Sequence, residues 1–197
     1  MQKTPFILFF LFAFLNFNAQ LNPDSIDIVR GEFGTPHIFA KTDKEVAYGL
    51  AWAHAEDDFK TIQETFLPSK YMMGRYKGKE GVQLDYISQL LKCEELVDRE
   101  IDNLSPEILR VVDGYVEGLN AFAEKFPNQV LVKKSFPMTR KEYLVGFNFI
   151  IHFFSDISKV LKDLYSNKIP LIQDSSLNNI GSNGFAFNKS KTKDNKT

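Results

Sequence analysis

Residues 26–66 read IDIVRGEFGTPHIFAKTDKEVAYGLAWAHAEDDFKTIQETF, and the fold follows from how this stretch divides. Ile26, Ile28 and Arg30 alternate with Asp27 and Val29, the period of two of a half-buried strand. His37-Ile38-Phe39-Ala40 is a second short apolar run. Between them, Gly31-Glu32-Phe33-Gly34-Thr35-Pro36 holds the glycines and proline that end strands and build turns. A β-hairpin is expected. Thr42 then opens a helix, because Thr42-x-x-Glu45 is a capping box whose side chains satisfy orphan backbone N–H groups. Val46, Leu50, Ala53 and Asp57 follow one face, and Ala47 and Gly49 permit close packing. The helix is expected to run to about Phe66, with Pro68 stopping it.

Further along, Met73 to Gly81 (MGRYKGKEG) is punctuated by glycine and reads as a loop. Leu84, Ile87, Leu91, Leu96 and Ile101 suggest helix up to about Asn103. Ser105 is a good N-cap and Pro106 suits the first helical position. Ile108, Val112, Tyr115, Leu119 and Phe122 step by four or three, an amphipathic stripe that ends before Pro127. Thr139-x-x-Glu142 is a second capping box. The helix it opens carries Leu144, Phe147, Ile150, Ile151, Phe154, Ile157 and Leu161, so burial on more than one side is expected. Ser166 to Gly184 has loop composition, Phe185-Ala186-Phe187 is strand-like, and Asn188 to Thr197 is polar and non-periodic. No internal repeat is present.

Upstream, Met1 to Gln20 reads MQKTPFILFFLFAFLNFNAQ, with Lys3 as a positive flank and an apolar run from Phe6 to Leu15. Ten apolar residues fall short of the roughly 20 needed to span a bilayer. The segment therefore reads as a secretory signal peptide, against a short anchor that stays attached. Six of the 19 phenylalanines lie in it, so the remaining chain is less aromatic than the whole suggests. A secreted or periplasmic location follows, with the membrane involved only through this segment. The 197 residues suit one domain or little more, and 44% hydrophobic with 25% charged residues is globular composition. A formal net charge of -1 supplies no basic field for nucleic acid. The lone Cys93 excludes an intrachain disulfide framework and a cysteine-rich zinc site, and it reads as a small core residue.

No GxSxG, GxGxxG, P-loop or HExxH motif occurs. His37, His54 and His152 have no second histidine at metal-ligand spacing and read as structural, hydrogen-bonded side chains. Asp57-Asp58 reads as a solvated face or cap partner, not an acid/base dyad.

Four segments together resemble the α-chain of the penicillin acylase family, which includes acyl-homoserine-lactone acylases and belongs to the N-terminal-nucleophile hydrolases. Val29 to Ala40, VRGEFGTPHIFA, is similar to the family's opening strand pair, a basic residue followed by G-x-P-H-I. Tyr48 to Asp57, YGLAWAHAED, is similar to its glycine-led helix closing on A-x-D. Tyr115 to Phe122, YVEGLNAF, is similar to its Y-x-x-G-x-N-A-aromatic helix. Gly181 to Phe187, GSNGFAF, is similar to its maturation and nucleophile motif. The tripeptide GSN alone carries nothing. The ordered set of four carries the resemblance.

The resemblance implies an α+β fold: the helix-rich α-chain portion of an N-terminal-nucleophile αββα hydrolase, opened by a β-hairpin. It divides the chain into a signal peptide (1–20), an acylase α-chain (21–165), a linker or spacer (166–181) and the truncated start of a β-chain (182–197). It implies cleavage between Gly181 and Ser182, after which the Ser182 hydroxyl is the nucleophile and its own α-amine the base. No cofactor is required, and the substrate is a small-molecule linear amide. Ile150 and Phe154 would line an apolar acyl pocket, against plain core packing. Some relatives carry Arg just before that aromatic; Phe153 stands here and tilts the expectation toward a fatty-acyl or other apolar chain. Some donate a Glu to a structural calcium where this chain has Val160, so any calcium of the complete protein would lack that ligand. Only 15 residues follow Ser182. The family's oxyanion-hole residues lie beyond that point, so the expectation is a fragment that is inactive without its β-chain. The competing expectation is a non-enzymatic secreted helical module that binds an apolar ligand or partner.

Overall fold

The computed structural model describes residues 21–152 and 157–166. They fall into two compact units, one running to Gly146 and the other beginning at Phe147.

The hairpin forms as expected. Strands β1 (Asp27–Arg30) and β2 (Pro36–Phe39) pair antiparallel, with Ile28 opposite Ile38 and Val29 opposite His37. Gly34, at φ 78°, makes the turn that non-glycine residues resist. The inner face of the hairpin rests on Gly49. A Cβ there would stand 2.7 Å from Ile38 Cγ2 and 2.9 Å from Ile26 Cγ2.

Helix α1 (Asp43–Phe66) begins with both halves of its capping box made. Glu45 N–H donates to Thr42 Oγ1 at 3.3 Å, and Thr42 N–H to Glu45 Oε2 at 3.0 Å. The helix leaves helical dihedrals at Asp58, whose carboxylate accepts from Thr61 N–H at 3.0 Å and so caps the second segment. Asp58 is thus a cap, in line with the sequence reading. The buried face differs from expectation in part: Ala53 is buried and Ala47 packs closely, as expected, but the larger residues of that face are not buried. Val46 and Leu50 remain more than a third exposed, while Ala47, Ala51 and Ala55 are buried. Small residues win this face because helix α5 (Pro106–Lys125) crosses it at backbone contact. A Cβ on Gly114 would meet Lys44 O at 2.0 Å, and one on Gly118 would meet Tyr48 O at 2.5 Å.

Ser105 caps α5 through Ile108 N–H, as expected. Ala51, Ala55, Phe59, Leu119, Phe122 and Ala123 form the core between α1 and α5. Ile108, assigned to the apolar stripe, is half exposed because the first turn of α5 reaches past this core. Gln63, 2% exposed, is fully used: Nε2 donates to Phe59 O and Gln129 O, and Oε1 accepts from Leu131 N–H. It ties the chain after α5 to α1.

The loop expected over Met73–Gly81 is a correction. Met73–Lys77 is helix α2 and Lys79–Leu90 is helix α3, turning at Gly78. The cap of α2 comes from a distance: Asp85 accepts from Met73 N–H at 3.0 Å and Gly74 N–H at 2.9 Å. Gly81 lets α3 approach, since a Cβ would stand 2.2 Å from Met73 O. The single helix expected to Asn103 is interrupted at Lys92, whose φ is 53°, and α4 (Cys93–Glu100) follows. Cys93 is fully buried, as expected of a core residue.

Helix α6 (Arg140–Ile151) opens at the second capping box, with Thr139 N–H donating to Glu142 Oε2 at 2.7 Å and Glu142 N–H to Thr139 Oγ1 at 3.2 Å. Its burial is one-sided, contrary to expectation: Val145 and Phe149 are buried, whereas Phe147 and Ile151 are about half exposed. Helix α7 (Ile157–Tyr165) belongs to the second unit.

Candidate functional site

Two side-chain nodes explain three of the four quoted segments. At the first, Arg30 on β1 reaches Glu56 Oε2 at 3.1 Å and Asp57 Oδ1 at 2.9 Å on α1. It also donates to Gly34 O at 2.9 Å. Its hydrogen bonds to Asp57 and Glu56 raise the guanidinium pKa further. Trp52 Nε1 donates to Glu56 Oε1 at 2.9 Å. The basic residue of one segment and the Glu-Asp of the next are therefore partners that fasten the hairpin to α1. Opposite charges in both segments were the available signal. Pairs this exposed are weak and salt-sensitive. Arg30→Met is expected to speed amide exchange several-fold at Val29, Arg30 and Ile38 without changing α5. Exchange mass spectrometry at low and roughly 0.5 M salt checks this, since the difference should shrink with salt.

The second node is the Tyr115 segment. Tyr115 Oη and His54 Nδ1 are 3.0 Å apart, with the rings edge to face. Burial, then Tyr143, pushes the Tyr115 pKa up. His54 is thus a structural partner. His37 is exposed and His152 half-buried. Asn120, in the same segment, holds Met138 from both sides. Its Nδ2 donates to Met138 O at 2.8 Å, and Met138 N–H donates to its Oδ1 at 2.6 Å. Arg140 then forks onto Asp113 at 2.6 and 2.5 Å. Lys70 Nζ, almost buried, binds Ser135 O at 2.7 Å and Glu142 Oε1 at 2.9 Å.

Burial raises the Glu142 pKa, but the hydrogen bond from Lys70 and that from Thr139 N–H outweigh it, and the net shift is downward. Hydrogen bonds from Ser25 and Thr42 likewise lower Glu45 at the head of α1. A carboxyl with a lowered folded pKa gives stability that is present above the unfolded value and lost as pH falls through the folded one. Stability is therefore expected to be level above about pH 5 and to decline below the ordinary Glu value of 4.5. Urea midpoints from pH 3 to 7 test it, and Glu142→Gln should flatten part of the decline.

Of the sequence-predicted site residues, Ile150 lies on α6 and is half-buried. Phe154, Gly181 and Ser182 lie outside the described residues, as do Phe153 and all of the proposed linker after Ser166. Val160 lies on α7 and its side chain has no oxygen, so this position does not fit a calcium. Among the described residues no group of three or more His, Cys, Asp or Glu could hold a metal ion. None of their helices is long and apolar enough to cross a membrane. At the start of α6 the Thr139–Glu142 cap was legible in the sequence, whereas the Arg140–Asp113 and Lys70–Glu142 pairs were missed and only the Asn of Y-x-x-G-x-N hinted at the hold on Met138.

The penicillin amidase family profile matches residues 25–197. Penicillin G acylase of Escherichia coli is 28% identical over 130 residues, covering 64% of this chain and 15% of its own. Acyl-homoserine lactone acylase PvdQ of Pseudomonas fluorescens is 27% identical over 133 residues, covering 61% and 17%. The chain thus spans about a sixth of these relatives' length. The thermostable penicillin G acylase of Alcaligenes faecalis is a structural neighbour, with TM-score 0.53, 22% identity, and coverage of 72% of this chain and 82% of that one.

Proposed function

The chain belongs to the penicillin amidase family and has its helix-rich, hairpin-opened fold, and on that premise we propose that it is the leading part of a secreted amidohydrolase precursor. The complete protein hydrolyses a linear amide of an apolar acyl group. The observation that carries this reading is the family match running from residue 25 through residue 197, across the Gly181-Ser182 step. One relative at 26% identity, from Pseudomonas, is itself named a penicillin acylase 2 proenzyme, which supports a precursor that is processed.

In this reading Ser182 Oγ attacks the Gly181 carbonyl, and the peptide nitrogen leaves as the α-amine of Ser182. Water then hydrolyses the resulting ester, releasing the Gly181 carboxylate. Gly181 has no Cβ to obstruct the close approach. The freed α-amine, with an ordinary pKa of roughly 8, accepts the Ser182 hydroxyl proton during substrate attack. One residue is nucleophile and base, so no histidine is needed. The acyl-enzyme forms as the amine leaves carrying that proton, and water then regenerates Ser182. Ile150 and Phe154 line the acyl site, and Phe153, an uncharged neighbour, favours aliphatic or other apolar acyl chains. The β-chain of the same precursor supplies the oxyanion donors, and residues 1–20 direct export to the periplasm or exterior.

Intact-mass analysis with N-terminal sequencing of the protein expressed from the complete gene is the test. A new terminus beginning Ser182-Asn183-Gly184 is expected. A precursor that stays uncut, or one cut elsewhere while still hydrolysing amides, sinks the mechanism.

A further inference from the structure

The hairpin has one blunted edge and one open edge. Gly31 N–H donates to Thr35 O at 3.0 Å, and Arg30 stands opposite Pro36. Bonded and unbonded pairs alternate along an antiparallel ladder, so Val29–His37 and Asp27–Phe39 are the bonded pairs. Ile28 and Arg30 on β1, and Pro36 and Ile38 on β2, therefore turn their backbone groups away from the partner strand. On β2, Pro36 has no N–H to offer, which blunts that edge. On β1, Ile28 presents both N–H and C=O, and no described residue bonds either of them.

Beside the open edge lies a groove of about 510 Å³. One wall is the inner face of Ile26, Ile28 and Arg30, and the other is Tyr48, Trp52 and Glu56, spaced one turn apart on α1. Trp52 is fixed by an edge-to-face contact with Phe122 and by its bond to Glu56, so this wall is formed in advance. Arg30 is already held by Glu56 and Asp57, so the groove calls for apolar rather than charged side chains. An unpaired edge beside a preformed apolar groove suits an added strand: main-chain bonds give affinity, and the groove takes alternate side chains. We propose that a segment of the precursor's β-chain following Thr197 adds to the Ile28 edge as a third strand, placing apolar side chains against Tyr48 and Trp52. This rests on the reading of the chain as the leading part of a precursor. The precursor supplies that occupant in equal amount, and this chain spans only about a sixth of its relatives' length. A two-stranded ribbon gains most from such a partner, because alone it is marginal.

Amide exchange in the protein expressed from the complete gene tests the docking. The Ile28 amide is expected to exchange within about tenfold of its ladder-bonded neighbour Val29, whereas an open edge would leave it on the order of 100-fold or more faster. Ile28→Pro removes the outward N–H and leaves the β1–β2 ladder bonds in place. Ile28→Ala keeps the N–H and loses only the side chain. In Ile28→Pro, and not in Ile28→Ala, one stretch of the β-chain about as long as β1 should lose its protection. Fast exchange at Ile28 in the wild type overturns the proposal without any variant having to fold. Identical β-chain protection in the two variants, whether kept or lost, overturns it too. If Ile28 is protected only at concentrations where native mass spectrometry finds dimers, a second copy is the occupant and the proposal fails. An uncut precursor with Ile28 protected sinks the cleavage mechanism alone. A precursor cut at Ser182 with Ile28 exchanging fast sinks the docked strand alone.

Discussion

Gly114→Val is expected to leave the chain without its cooperative fold. At Gly114 even a Cβ would stand 2.0 Å from Lys44 O and 2.9 Å from Lys44 C. These are backbone atoms of α1, so no rotamer change relieves the contact. The helices must separate, and separation opens the core of Ala51, Ala55, Leu119 and Phe122 that their approach creates. Replacing a mid-helix glycine would otherwise gain up to about 1 kcal/mol of propensity. Overpacking typically costs about 1–3 kcal/mol where side chains can yield. Here they cannot, and a loss of about 4 kcal/mol or more is expected, a large part of ordinary domain stability. Gly114→Ala should fall between the variant and the wild type. Gly34→Ala should cost roughly 1 kcal/mol, since that site has φ 78° but nothing within 4 Å. Urea titrations followed by circular dichroism rank the four proteins. A Gly114→Ala midpoint equal to wild type would refute the close crossing.

The same glycines show what could be read in advance. Capping boxes at Thr42 and Thr139, the proline at 106 and the hairpin turn were legible because their physics lies within a few residues of sequence. On α1 the close packing at Ala47 and Gly49 and the burial of Ala53 were legible, but Val46 and Leu50 were put on the same face and are more than a third exposed. Alanines fill it instead, since the partner helix offers glycine at the crossing, and that partner lies some 60 residues away. The helical turns at 73–81 were missed for a like reason, although helix from Leu84 onward was expected: Asp85 supplies the cap for a helix that precedes it, and Gly74 and Gly81 are contact points rather than turns. Motif likeness located Arg30, Glu56, Asp57, Tyr115 and Asn120 without saying what they do. In the structure Arg30, Glu56 and Asp57 fasten the hairpin to α1, Tyr115 pairs with His54, and Asn120 holds Met138 ahead of α6. The residues assigned to the chemistry, Gly181 and Ser182, lie outside the described residues, so the sequence carries that part of the argument.

Ser182→Ala therefore has the largest expected effect on activity, and its effect is double. If the serine hydroxyl both cuts the precursor and attacks substrate, alanine removes each step. The protein should keep its uncut mass, and amide hydrolysis should fall by on the order of 10⁴-fold or more. Either loss alone would be ambiguous. An uncut precursor blocks the α-amine and so is inactive for lack of the base, whatever the nucleophile. Ser182→Cys separates the two roles. A thiol is the more readily ionised nucleophile and is expected to cut the Gly181 peptide. The matured thiol enzyme then has its free α-amine, so any remaining deficit in amide turnover reports the side chain at the reacting carbonyl alone. Mass spectrometry gives the first quantity and single-turnover kinetics with an acyl amide gives the second. Full maturation and full activity in Ser182→Ala would transfer both roles to another residue. Wild-type activity from an uncut Ser182→Ala precursor would eliminate the N-terminal amine as base.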